Sequence, residues 1–97
     1  MIKIVDVWAE WCAPCKRFSP IFEKLAQEYP DMEFVKVNAD EDAEFLQRWS
    51  IRGIPTIMAF IDEEPYFSHA GILSEVAMQD LISRLRIRDS ANAPISK

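Results

Sequence analysis

Two short segments limit what this chain can fold into. Residues 2–9, IKIVDVWA, and residues 56–61, TIMAFI, are apolar at almost every position. A strand with one face in water alternates polar and apolar residues, whereas a strand covered on both faces does not. Both segments therefore predict central strands of a sheet with helices packed on each side. Such a sheet needs a substantial core. Hydrophobic residues make up 49% of the 97 positions, enough for one small domain and unlike a disordered chain.

The intervening segments supply the remaining elements. Phe18, Ile21, Phe22, Leu25 and Tyr29 recur at helical spacing, predicting a helix over about residues 13–29 that ends before Pro30-Asp31. Pro14 falls in its first turn, where a missing N–H has no intrahelical partner to lose. Residues 33–39, EFVKVNA, alternate as a strand. DAEFLQRW predicts a short helix with Phe45, Leu46 and Trp49 turned inward. After TIMAFI, DEEP makes a turn and YFSHA a short edge strand. Ser74 caps a last helix that carries Met78, Leu81, Ile82 and Leu85 on one face. A right-handed crossover makes the first two strands parallel neighbours, and the last two form an antiparallel hairpin. The expected class is α/β, a four-stranded mixed sheet flanked by helices. Residues 1–88 are expected to form the domain, and residues 89–97, DSANAPISK, a flexible tail.

Charge and hydropathy exclude some functions. Sixteen acidic residues against eleven basic ones give a net charge of -5, which argues against nucleic-acid binding. No apolar run approaches the roughly 20 residues that span a bilayer, so no membrane partner is expected. The N-terminus holds one lysine and an apolar stretch broken by Asp6, without a small-residue cleavage site. It does not read as a signal peptide, and a cytoplasmic setting is expected.

The two cysteines, Cys12 and Cys15, stand two residues apart in WAEWCAPCK. As a staple they would close a loop of four residues and contribute only about 2 kcal/mol, and a cytoplasmic setting would keep them reduced. As zinc ligands they lack a second pair. The single histidine, His69, lies more than fifty residues away on a predicted edge strand, where a solvated histidine is the plainer reading. No metal is expected. A reacting pair fits the position best. Cys12 falls where a strand ends and a helix begins, and free backbone N–H groups with the positive end of the helix dipole favour a thiolate there. The thiolate is the attacking species in thiol–disulfide exchange. Cys15, one turn on, can resolve a mixed disulfide, while Pro14 fixes the backbone between them and Trp11 supplies an apolar flank.

At this point the chain resembles the thioredoxin family. VDVWAEWCAPCK is similar to the active-site strand and helix start of that family, IRGIPTIMAF to its cis-proline loop and following strand, and VKVNADED to the strand between them. Gly71 stands where the family keeps a glycine after its last strand. The resemblance runs over about residues 2–85. It implies a thioredoxin-like fold and assigns roles by position. Cys12 is the exposed nucleophile with the lowered pKa characteristic of the family, and Cys15 the buried resolving thiol. Pro55 is a cis-proline against the pair, with the Ile54 backbone pairing to the substrate chain. Asp6 is the buried carboxylate beneath Cys15, with Lys36 nearby; an acid between Val5 and Val7 in a central strand is not expected to be a solvated edge acid. Trp11, Ala13, Pro14, Ile54, Pro55 and Gly71 form the implied substrate face.

The chain departs from the family pattern in three places. Ala13 replaces the usual glycine, DEEP lacks the usual turn glycine, and the sequence begins at what looks like the family's second strand. The edge of strand 33–39 is consequently expected to be uncovered, either frayed in a monomer, the favoured outcome, or paired with a second copy in a dimer. The implied function is reduction of protein disulfides through the Cys-Ala-Pro-Cys pair, with a flavoprotein thioredoxin reductase as electron donor and no cofactor beyond the redox disulfide. A redox-tuned oxidase or isomerase, and a binding module on the same fold, are the alternatives.

Overall fold

The computed structural model describes residues 1–92. Its elements follow in the expected order: β1 (Ile2–Trp8), α1 (Ala13–Glu28), β2 (Glu33–Asn38), α2 (Ala43–Arg48), β3 (Thr56–Ile61), β4 (Glu64–Ala70) and α3 (Glu75–Asn92). The sheet order is β2-β1-β3-β4. β1 runs parallel to β2 and antiparallel to β3, and β3 pairs antiparallel with β4. The two apolar runs are thus the two central strands, as their composition requires.

The period-two alternation of each central strand divides the core into two layers. Ile2 and Ile4 of β1, with Ile57, Ala59 and Ile61 of β3, meet Phe18, Phe22 and Leu25 of α1 and Met78, Ile82 and Leu85 of α3. Val5 and Val7, with Met58 and Phe60, face the other way, toward Phe45, Leu46 and Trp49 beside α2. Trp49 packs edge-on against Phe60 at 5.1 Å between ring centres. Asp6 falls in the Ile2–Ile4 series. The alternation therefore carries a carboxylate into the layer beneath α1.

Side chains cap the helices where the sequence places them. Asp42 Oδ1 accepts the Phe45 N–H at 3.0 Å, and Ser74 Oγ accepts the Ala77 N–H at 3.1 Å. Two boundaries differ from expectation. β4 begins at Glu64, because the hairpin loop is only Asp62 and Glu63, both at positive φ (50° and 72°). A two-residue hairpin of the primed type needs that conformation, here without glycine. α3 continues to Asn92, so residues 89–92, expected in the tail, are helical. The helix keeps one more turn than its apolar face calls for, because Asp89, Ser90, Ala91 and Asn92 include no proline or glycine to stop it. Residues 93–97 lie outside the described residues. Among the described residues, no helix is long and apolar enough to cross a membrane.

Candidate active site

The cysteine pair forms where the central strand hands the chain to α1. After Trp8 the backbone turns through buried Ala9, and the Cys12 N–H donates to the Ala9 carbonyl at 3.1 Å. Cys12 is the N-cap of α1 in an extended conformation, with Pro14 inside the first turn. Its Sγ accepts the backbone N–H of Cys15 at 3.2 Å, so sulfur does here what a serine or aspartate oxygen does at other helix starts. Cys12 and Cys15 are joined as a disulfide with Cα atoms 5.3 Å apart. Once the bond is reduced, the same N–H and the helix dipole favour a thiolate on Cys12.

The expectation of an exposed Cys12 requires correction. Cys12 is 4% exposed and Cys15 2%. In the disulfide form both belong to a small cluster with Ala9, against which Trp8, Ala39 and Ile54 pack. What separates the two sulfurs is their position in the helix: one caps its terminus and the other sits inside its first turn.

A mostly apolar rim surrounds the pair. Trp11 is 71% exposed, and its indole Nε1 donates to both oxygens of Asp40 at 3.0 and 3.2 Å. The Asp40 N–H in turn donates to Asn38 Oδ1 at 2.9 Å, which fixes the turn after β2. The indole is therefore held in water by a hydrogen bond and not by burial. Sequence reasoning missed Asp40, although an Asn two residues before it marks the turn. Trp11, Asp40, Leu46, Ile51, Arg52 and Ile54 line a groove of about 350 Å³. Ala13 is exposed and Pro14 half-buried on the helix start. The Ile54-Pro55 bond is cis, as expected, and Pro55 is buried.

Gly71 ties β4 to that loop. Its N–H donates to the Pro55 carbonyl at 2.8 Å, and its φ is +113°. A Cβ there would come no closer than 3.7 Å, to His69 Nε2. Space is thus available, and the cost of a side chain is conformational. Gly71→Ala is expected to lower stability by about 1–3 kcal/mol, read as a lower urea midpoint with an unchanged slope.

Asp6 lies on the face of β1 that carries Ile2 and Ile4, the layer into which α1 buries Phe18, Phe22 and Leu25. It is 0% exposed, and among the described residues neither carboxylate oxygen has a hydrogen-bond partner. Burial pushes its pKa up from 3.8 to about 6, opposed in part by the positive charge of Lys36. Lys36 is the register partner of Asp6 on β2, but its ammonium does not pair with it. It donates to Ser19 Oγ at 2.8 Å and lies 3.6 Å from Glu23 Oε2. Lys36 is therefore near Asp6 through its backbone and turned to α1 by its side chain. Ser19 and Glu23 were not foreseen; only their i, i+4 spacing on α1 hints that they act together.

The arrangement holds two sulfurs that can be joined or parted, a helix terminus that favours a thiolate, and a buried acid with a pKa near neutrality. A family model described as thioredoxin matches residues 1–84. A protein named thioredoxin 2 in Streptomyces coelicolor is 41% identical over 86 residues, covering 89% of this chain and 64% of that protein. The thioredoxin of Buchnera aphidicola is 41% identical over 81 residues, covering 82% of this chain and 74% of its own length. The chain thus spans about two thirds to three quarters of these relatives. Among solved structures, thioredoxin from Fasciola hepatica superposes with a TM-score of 0.80 at 32% identity, over 86% of this chain and 79% of its own. The oxidised thioredoxin of Plasmodium falciparum gives 0.77 at 33% identity, over 87% and 80%. Sequence motifs, sheet order and these matches agree, and the chain belongs to the thioredoxin family.

Proposed function

We propose that this protein is a thiol–disulfide oxidoreductase that reduces disulfides in other proteins. The observation that carries this reading is the Cys12 sulfur, which caps α1 and accepts the Cys15 N–H. In the reduced protein the Cys12 thiolate attacks one sulfur of a substrate disulfide. A Cys12–substrate disulfide forms, and the other substrate sulfur leaves as a thiolate. Asp6 takes the proton of Cys15, directly or through one water. Cys15 then attacks the Cys12 sulfur, closing the Cys12–Cys15 disulfide and releasing the second substrate thiolate. Two electrons pass to the substrate, and an external dithiol or a flavoprotein thioredoxin reductase restores the pair. The Trp11 indole, Pro14, the Ile54-Pro55 bond and Gly71 form the face that receives the substrate chain, with the Ile54 backbone as its pairing edge. The protein acts as a monomer in a reducing, cytoplasmic setting, where the pair is recharged.

Insulin-disulfide reduction tests the reading. With dithiothreitol as donor, the protein is expected to hasten precipitation of the insulin B chain. With NADPH and thioredoxin reductase in its place, NADPH oxidation is expected to depend on this protein. No acceleration with either donor would overturn the proposal and leave the fold as a docking module. Acceleration with dithiothreitol alone would keep the reductase and remove that donor.

A further inference from the structure

Lys36 is the cation that the sheet register offers to Asp6, yet Asp6 does not receive it. The two residues are partners across β1 and β2 and project to the same face. The Lys36 ammonium instead donates to Ser19 Oγ at 2.8 Å, lies 3.6 Å from Glu23 Oε2 and sits 5.1 Å from the centre of the Trp8 ring. Ser19 Oγ donates to the same Glu23 oxygen at 3.1 Å. A hydroxyl, a carboxylate and an indole together make a seat for the ammonium on α1 and the end of β1.

This seat lets the ammonium keep part of its hydration, since about a third (34%) of the Lys36 side chain remains in solvent. Moving to the fully buried Asp6 would strip that water away. The choice matters for Asp6, because a cation within about 4–6 Å of a carboxylate favours its charged form. Among the described residues, the packed elements bury no other charged side chain. β3 presents Ile57 as the register partner. α1 buries Cys15, Phe18, Phe22 and Leu25, and α3 contributes Met78, Leu81, Ile82 and Leu85. We propose that Ser19 and Glu23 are positioning residues, which hold the Lys36 ammonium off Asp6 and so keep Asp6 able to accept the Cys15 proton. The inference rests on the role given to Asp6 in the proposed function.

Titration of the Asp6 carboxyl carbon by NMR in the disulfide form tests it. The wild-type midpoint is expected at about 6. Ser19→Ala combined with Glu23→Gln frees the ammonium and is expected to lower that midpoint by about one unit, the low end for a neighbouring cation. Ser19→Thr keeps the hydroxyl and is expected to leave it in place. Lys36→Met is expected to raise it, and adding Ser19→Ala and Glu23→Gln to Lys36→Met is expected to change nothing more. An unmoved midpoint in the Ser19→Ala, Glu23→Gln protein overturns the proposal. An equal fall in the Lys36→Met background overturns it too, because the effect would then be the loss of the Glu23 charge itself. The titration needs no turnover, so its outcome stands apart from failure of the insulin assay.

Discussion

Cys12→Ser is expected to abolish disulfide reduction, and Cys15→Ser to halt it at the first covalent step. Both effects are near total because sulfur is the reacting atom in each half of the cycle. A serine hydroxyl at position 12 would still cap α1 and accept the Cys15 N–H, so the fold is expected to survive. It would not attack a disulfide, and insulin reduction is expected to fall to the rate of dithiothreitol alone. With serine at position 15 the Cys12 thiolate still attacks, but no thiol closes the second step. A one-to-one mixed disulfide with the substrate is then expected to accumulate, visible as a mass adduct on Cys12. The assignment depends on helix position more than exposure, since both sulfurs are nearly fully buried in the disulfide form. Reduced protein alkylated briefly at neutral pH is expected to label Cys12 first, because its sulfur alone caps the helix. Labelling of Cys15 first, or repeated turnover by Cys15→Ser, would reverse the two roles.

What the sequence disclosed follows from the range of each interaction. Strand identity was legible in IKIVDVWA and TIMAFI, because burial on both faces keeps most positions apolar at both parities, with Asp6 the buried exception. The Ser74 cap was legible because its bond reaches only to Ala77. The cysteines were legible because their spacing matches one helical turn at a strand end. Contacts made by side chains from separate elements were not. Nothing local in the sequence says that Trp11 is held by Asp40, 29 positions away, or that Lys36 reaches Ser19 across 17. The resemblance put Lys36 near Asp6, but the partner its ammonium takes depends on which side chains α1 presents opposite it. The extra turn of α3 escaped for a different reason. Residues 89–91 bury too little to show periodicity, and helix continuation there reflects only the absence of a stop signal.

Asp6→Asn is expected to stabilise the protein at neutral pH while slowing the second half of its cycle. The stabilisation follows from where the proton sits. The folded pKa lies near 6 and the ordinary value at 3.8. Between these pH values the folded protein holds a proton that the unfolded chain has released. The contribution of Asp6 to stability therefore falls as pH rises through about 4 to 6 and remains reduced above that window. A shift of this size corresponds to about 3 kcal/mol. Asparagine cannot ionise and escapes the loss. Its amide replaces a carboxyl already without hydrogen-bond partners, so the neutral forms are closely matched. A gain of about 1–3 kcal/mol at pH 7 is expected, shrinking toward zero near pH 4, in urea unfolding followed at both pH values. The kinetic effect runs in the opposite direction. Asparagine offers no base for the Cys15 thiol, and a positioned general base contributes about 10²–10⁴-fold. Release of substrate from the Cys12 mixed disulfide, followed in a single turnover, is expected to slow within that range, whereas the first attack by Cys12 keeps its rate. An unchanged release rate together with lower stability would show that the Asp6 carboxylate supports the fold and takes no proton from Cys15. A buried, unpartnered acid that weakens the fold at neutral pH is otherwise hard to account for in so small a core.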